Sequence, residues 1–174
     1  MTTGELTGFA AGYPELDTAA VDYDYLRTAS HALIPFGNHV GTVITELGPE
    51  RAVVEIPAGG PVTNHMGTVH AGALFTAADI AGAAAFVGAA ATGLTRVKRL
   101  VLRGATSAYK RPATGRIRAV ATVEPQDIAG VLASTGTERF AITVPVALLD
   151  DADVLVAEFG FDYVCDTNPG AGER

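Results

Sequence analysis

The spacing of apolar residues changes along the chain, and each change marks an element. Residues 22–33 place Tyr25, Leu26, Ala29 and Leu33 at helical intervals, which predicts a short amphipathic helix stopped by Pro35, Phe36 and Gly37. Residues 39–47 and 51–56 predict two strands joined by the turn triplet Gly48, Pro49 and Glu50. The run Pro-Ala-Gly-Gly-Pro at 57–61 breaks the second strand. From 71 to about 91 the chain is mostly alanine without proline, which predicts a long helix closed by Thr92 and Gly93. Gly72, Gly82 and Gly88 weaken such a helix in isolation, so its neighbours must approach it closely.

Four strand segments follow. Residues 99–111 form a long one that ends at Pro112. In 116–123, Ile117, Ala119, Ala121 and Val123 face one way and Arg116, Arg118 and Thr122 the other. In 139–149 the alternating positions are Phe140, Ile142, Val144, Val146 and Leu148; Pro145 among them predicts an edge position or a bulge. The acidic turn 150–153 leads into 154–164, with Leu155, Ala157, Phe159, Phe161 and Tyr163 on one face.

This order predicts an α+β fold, an antiparallel sheet of about six strands with one long central helix. A helix that is apolar all round is covered all round, and a sheet curled about it would do so. The length, 174 residues, suits one domain. We place a flexible tail at 1–20, the domain at 21–166 and a second tail at 167–174. The helix is also about long enough to cross a bilayer. However, an acid near its centre would cost roughly 2.5–3.5 kcal/mol there, and amphipathic strands flank it on both sides. We therefore expect no membrane span.

Composition narrows the classes further. With 48% hydrophobic and 18% charged residues the chain is globular rather than disordered. Cys165 is the single cysteine, which excludes an internal disulfide, and no cationic apolar leader opens the chain; both predict a cytoplasmic setting. Four histidines and one cysteine form no standard zinc spacing, so no metal is expected. A net charge of −7 argues against nucleic acid as a partner. Yet eight of the twelve cations fall between Arg96 and Arg118, with no acid among them. This segment is either a solvated strand face or a local site for a phosphorylated ligand.

The long apolar helix carries one carboxylate, Asp79. Together with its approach, the segment reads Asn64-x5-His70-Ala71-Gly72-x6-Asp79. That pattern resembles the signature of hotdog-fold acyl-CoA thioesterases of the phenylacetyl-CoA thioesterase-like branch, which show Asn, then His-Gly-Gly, then an Asp on the central helix. The stretch SAYKRPATGRIRAVATV, with its Tyr-x-x-Pro-Ala-x-Gly turn, is similar to the strand pair of the same family. The resemblance runs from about His39 to Tyr163. It implies a hotdog fold, thioester hydrolysis, and coenzyme A as part of the substrate with no separate cofactor. Two departures stand out. Ala71 occupies a position where glycine is usual, and it still supplies the backbone N–H. Near Leu102 and Arg103, where many members carry a Ser or Thr, no hydroxyl is present; Thr106 and Ser107 are the nearest.

Thioester hydrolysis needs a group to polarise the carbonyl, a base to activate water and a dock for the thiol carrier. The Ala71 N–H opens a helix, where amides point at bound oxygens. Asn64 is placed to add an amide to the same oxygen or to the water. Asp79 is then the general base or, less directly, the nucleophile, with its pKa raised by apolar surroundings. Its alternative is a buried acid capping a backbone N–H. His70 shapes the loop or takes part in the reaction. Gly72, Arg103, Lys110 and Arg111 are the candidates for holding substrate, the cations through the phosphates of coenzyme A.

His70 and Asp79 are nine residues apart, about 180° around a helix and about 13 Å along it. If both serve one reaction, they come from two subunits whose helices run antiparallel. That predicts a homodimer with two composite sites and leaves pairing into a homotetramer open. Two other readings compete. One is a hotdog 3-hydroxyacyl dehydratase, suggested by His65 fourteen residues before Asp79 but lacking that family's His-Phe-Pro-Gly loop. The other is an acyl-CoA-binding module without turnover. No Gly-x-Ser-x-Gly elbow surrounds Ser30, Ser107 or Ser134, which excludes an α/β-hydrolase mechanism, and Cys165 reads as core.

Overall fold

The computed structural model describes residues 8–169; the outer parts of the two expected tails, 1–7 and 170–174, lie outside the described residues. α1 (Tyr23–Ala32) begins where the Asp22 carboxylate accepts the N–H groups of Asp24 and Tyr25, and it buries Leu26 and Ser30. The sequence then departs from expectation. Pro35 does not end a helix but opens α2 (Pro35–Val40), because a proline at the first helical position lacks only an N–H that would have no partner there. Gly41, at φ 85°, closes α2 in the left-handed conformation. β1 (Val43–Leu47) therefore starts four residues later than the expected strand, and His39 is helical.

β2 (Arg51–Ile56) returns through the expected Gly48 turn, tied by the Gly48 N–H to the Arg51 carbonyl at 2.8 Å. The long helix, α3 (Ala71–Ala90), continues through a 3-10 turn at Ala91–Arg96 before β3 (Val97–Tyr109). β4 (Ile117–Thr122) is followed by α4 (Pro125–Ala133), which the sequence pattern did not predict. Pro125 starts it, and it buries Ile128 and Val131. β5 (Arg139–Leu149) and β6 (Leu155–Thr167) complete the sheet.

The six strands lie in the order β1-β2-β4-β5-β6-β3, and every pair is antiparallel. The sheet curls around α3, as in the hotdog fold. Apolar side chains from α3 and the inner strand faces make one core, which holds Phe86, Ile56, Leu94, Ile117, Leu148 and Phe161. That enclosure accounts for the transmembrane-like composition of the helix: 72% of its most apolar window is buried in protein. Pro145 shows how an interior strand tolerates proline. It lies one residue before Val146, the first residue of β5 paired to β4, so β5 is locally an edge there.

The first tail is shorter than expected. A 3-10 helix at Gly8–Gly12 packs on the domain, with Ala10 and Tyr13 buried and the Tyr13 hydroxyl 3.0 Å from Ser30 Oγ. At the other end, β6 runs through the buried Thr167.

Candidate active site

The approach to α3 is a loop held by its own polar groups. Asn64 Oδ1 accepts the N–H groups of Met66 and Thr68, and its amide nitrogen donates to Thr68 Oγ1 at 2.8 Å. The Val69 N–H donates to the Ala113 carbonyl and the His70 N–H to that of Val62, which fixes where the helix begins. His70 is the N-cap: its Nδ1 accepts the Gly72 N–H at 2.9 Å. The His70 carbonyl receives the N–H groups of Ala73 and Leu74. Of the first four amides of α3, only that of Ala71 has no partner among the described residues, and Ala71 is exposed.

Asp79 lies two turns further along, half-buried. The Tyr163 hydroxyl donates to its Oδ1 and to its main-chain carbonyl, each at 3.2 Å. Burial raises the Asp79 carboxyl above its ordinary pKa, and the Tyr163 hydrogen bond opposes that rise without cancelling it. Burial and the adjacent Asp79 push the Tyr163 phenol far up, so it stays protonated and remains a donor.

An aromatic ladder sets this register. Phe159, Phe161 and Tyr163 alternate on the inner face of β6, and Phe75 of α3 sits edge-on to the first two, at 5.8 and 5.4 Å between centroids. Tyr109 of β3 continues the ladder and reaches the Ala71 carbonyl at 3.4 Å. Ala71, Phe75 and Asp79 are four residues apart on one helix face, so each meets a successive rung. Gly82 completes the fit: a β-carbon there would lie 2.7 Å from the Tyr163 hydroxyl oxygen. Sequence reading placed Tyr163 on one face with Phe159 and Phe161 and missed its contact with Asp79. The signal was available only as the alternation of three aromatics in β6.

The expected substrate cations are not gathered in one place. β3 carries a bulge at Arg103, since Leu102 pairs with Tyr163 and Gly104 with Asp162. Arg103 thereby joins Arg99 and Arg139 on the outer sheet face, away from α3. There Arg99 and Arg139 clamp Asp166, whose carboxyl falls to about 2 chiefly through the Arg139 hydrogen bond. Lys110 pairs with Glu158 at 2.9 Å, and Arg111 is exposed just beyond β3. Of the two hydroxyls near β3, Thr106 lies beside Gly160 on the outer face, whereas Ser107 pairs with Phe159 and shares its inward side. Cys165 is buried, and that burial lifts its thiol to about 11, which keeps it protonated.

One stripe of α3 is left incompletely covered: Gly72, Thr76, Asp79 and Ala83. β6 flanks it on one side and α1 and α2 on the other. Beside its first half is a cavity of about 460 Å³ between His70, Gly72 and Thr76 and the side chains of Phe36, His39 and Val62. Beside its second half is another, of about 310 Å³. β3, at the border of the sheet, has one edge without a partner strand among the described residues. The structure thus gathers His70, Ala71 and Gly72 at the start of α3 but holds Asn64 further out in the loop, where its amide donates to Thr68 rather than towards the Ala71 N–H. It sets Asp79 apart, eight residues or about 12 Å along the axis from Ala71.

No curated protein matches the chain. Several solved structures do. A structural-genomics protein, APC5556, is 31% identical over 82% of this chain and 90% of its own, with a TM-score of 0.63. A Pseudomonas aeruginosa protein of unknown function, described as a probable thioesterase, is 24% identical over 85% and 97%, with a TM-score of 0.70. The PaaI protein of the E. coli phenylacetic acid degradation operon is 19% identical over 81% and 93%, with a TM-score of 0.55. Residues 24–164 match one family model, described as a domain of unknown function, DUF4442; the chain belongs to that family and has the hotdog fold.

Proposed function

We propose that the protein is an acyl-CoA thioesterase, which hydrolyses an acyl-CoA to the free acid and coenzyme A, and that its sites form between two subunits. The observation that carries this reading is the state of α3. Its N-terminus keeps one amide, on Ala71, without a partner among the described residues, while its half-buried carboxylate with a raised pKa, Asp79, lies on an incompletely covered stripe. Within one chain these two groups are too far apart to act on one carbonyl. A second copy docked antiparallel along the stripe brings the Ala71 amide of each subunit beside Asp79 of the other. Structural neighbours described as a probable thioesterase and as PaaI support the reaction class.

In this reading Asp79 takes a proton from water as its oxygen attacks the thioester carbon. The carbonyl oxygen becomes an oxyanion and is held by the Ala71 N–H, strengthened by the helix dipole. Collapse breaks the carbon–sulfur bond, and the proton held on Asp79 passes to the leaving thiolate. Tyr163 holds the Asp79 carboxylate in position. Asn64 and His70 keep the loop and cap that present Ala71. Arg103, Lys110 and Arg111 remain the candidates for the phosphates of coenzyme A, and Arg103 would serve only a nucleotide lying on the outer sheet face.

Subunit complementation tests this arrangement. Ala71→Pro removes the N–H in question. The fold accepts it, because proline suits the first helical position and His70 already holds the extended ψ of 138° that precedes a proline. Asp79→Asn removes the base. Each variant alone is inactive. Refolded together, half of the dimers are mixed and each has one intact site, so thiol release recovers to about one quarter of the wild-type value. Failure to recover in demonstrably mixed dimers refutes the shared site.

A further inference from the structure

We propose that the 310 Å³ cavity beside Ala83 is the seat of the acyl group, and that it selects medium-length alkyl or aryl acyl chains. This rests on the thioesterase reading and specifies its substrate. The cavity lies between three elements: Phe9 and Tyr13 of the N-terminal segment, Leu33 and Ile34 after α1, and Ala83 and Val87 of α3. Its position follows the direction of the reaction. Ala83 is one helical turn, about 6 Å, beyond Asp79 on the same uncovered stripe. An acyl group whose carbonyl sits at Asp79 therefore has this cavity in front of it.

The walls suit a hydrocarbon. They are apolar except for Tyr13 and Ser30, whose hydroxyls satisfy each other at 3.0 Å and ask nothing of a ligand. Alanines on the α3 side leave the room, where leucine would fill it. The outer wall can yield: Leu33 is 50% exposed, and the end of its side chain rests over Gly12, where an added β-carbon would lie 2.8 Å from Leu33 Cδ1. A cavity of about 150 Å³ holds one benzene ring. By that scale this one takes on the order of ten carbon atoms and excludes the distal half of a long fatty acyl chain. The cavity exists only because residues 8–13 pack on the domain, so the N-terminal segment is part of the specificity apparatus.

Two variants and two readouts test the assignment. Ala83→Leu places three more carbons in the cavity, and Leu33→Ala opens its outer wall. Thiol release is measured for butyryl-, decanoyl- and palmitoyl-CoA, and binding of decanoic acid is measured by calorimetry on the same proteins. With about a fourfold factor per buried methylene, Ala83→Leu lowers the decanoyl-to-butyryl ratio of kcat/KM about 60-fold and weakens decanoate binding. Leu33→Ala raises the palmitoyl-to-decanoyl ratio. If the wild type hydrolyses acyl-CoAs and neither ratio moves, the cavity assignment falls and the thioesterase reading stands. If the wild type releases no thiol but binds decanoate, and Ala83→Leu abolishes that binding, the cavity stands and the reaction falls. Absence of both turnover and decanoate binding overturns the assignment.

Discussion

Replacing Gly82 by alanine separates two forces that act on the centre of α3 with opposite signs. Helix propensity alone favours alanine there by about 0.5–1 kcal/mol. Against this, the new methyl carbon lies 2.7 Å from the Tyr163 hydroxyl oxygen, where ordinary contact starts at 3.4 Å. The ring must recede by about 0.7 Å or more. Gly82 and Asp79 belong to the same helix, so a ring that leaves one also leaves the other. The two hydrogen bonds begin at 3.2 Å, the long end of the useful range, and do not survive that movement. A hydrogen bond to a charged group is worth about 1.5–3 kcal/mol, less here because Asp79 is partly exposed. The balance is a net loss of about 1 kcal/mol, or a fall in Tm of about 2–4 °C for a domain of this size. Function carries a second signature. The Tyr163 hydrogen bond lowers the Asp79 pKa, so losing it raises that pKa, and the acid side of the pH–rate profile moves to higher pH. Thermal denaturation and a pH profile of kcat/KM read both effects. A Tm that rises by about 2–4 °C with an unmoved acid limb is what propensity alone predicts, and it would refute the coupling of Gly82, Tyr163 and Asp79.

Gly88→Ala meets backbone rather than a side-chain tip: its β-carbon would lie 2.0 Å from the Gly48 carbonyl oxygen, so the β1–β2 turn must shift, and Tm falls further than for Gly82→Ala, by about 4–8 °C. His70→Ala removes the cap from α3 and costs about 1 kcal/mol in urea denaturation, most of which His70→Asn restores. Asp166→Asn tests the outer clamp. The folded pKa of about 2 lies below the unfolded value near ~3.9, so the clamp contributes fully above about pH 4 and is lost as pH falls towards 2. The variant is therefore less stable than wild type at neutral pH, and the difference narrows between pH 4 and 2.

The fold was legible where one period dominated. The alternating apolar residues of β4, β5 and β6 and the alanine run of α3 each permitted one element type, and the structure has them within a few residues. Reading failed where a proline could either stop or start a helix: Pro35 and Pro125 both start one. Residues 8–13 read as tail because their buried side chains, Ala10 and Tyr13, are too few to show a period; burial there depends on a groove that only the folded domain provides. The glycines of α3 announced close approach, and the structure names the visitors as the Gly48 carbonyl and the Tyr163 hydroxyl. The motif placed His70 and Ala71 at a helix N-terminus, whereas the side chain of Asn64 turns into its own loop. What one sequence could not show was the register between α3 and β6 that sets Tyr163 against Asp79, or the bulge that turns Arg103 to the outer face. Both arise from pairing between residues about 60 or more positions apart.

The most direct test of the central claim is thiol release from a panel of short, medium, long and aryl acyl-CoAs by wild type and Asp79→Asn. Asparagine keeps the volume of the side chain and an oxygen for the Tyr163 hydroxyl, so the fold is retained, as a Tm within a few degrees of wild type would verify. Wild-type release that falls at least ~100-fold in the variant is the predicted result, the scale expected for loss of a general base. Release that survives the substitution in a folded protein would contradict the account.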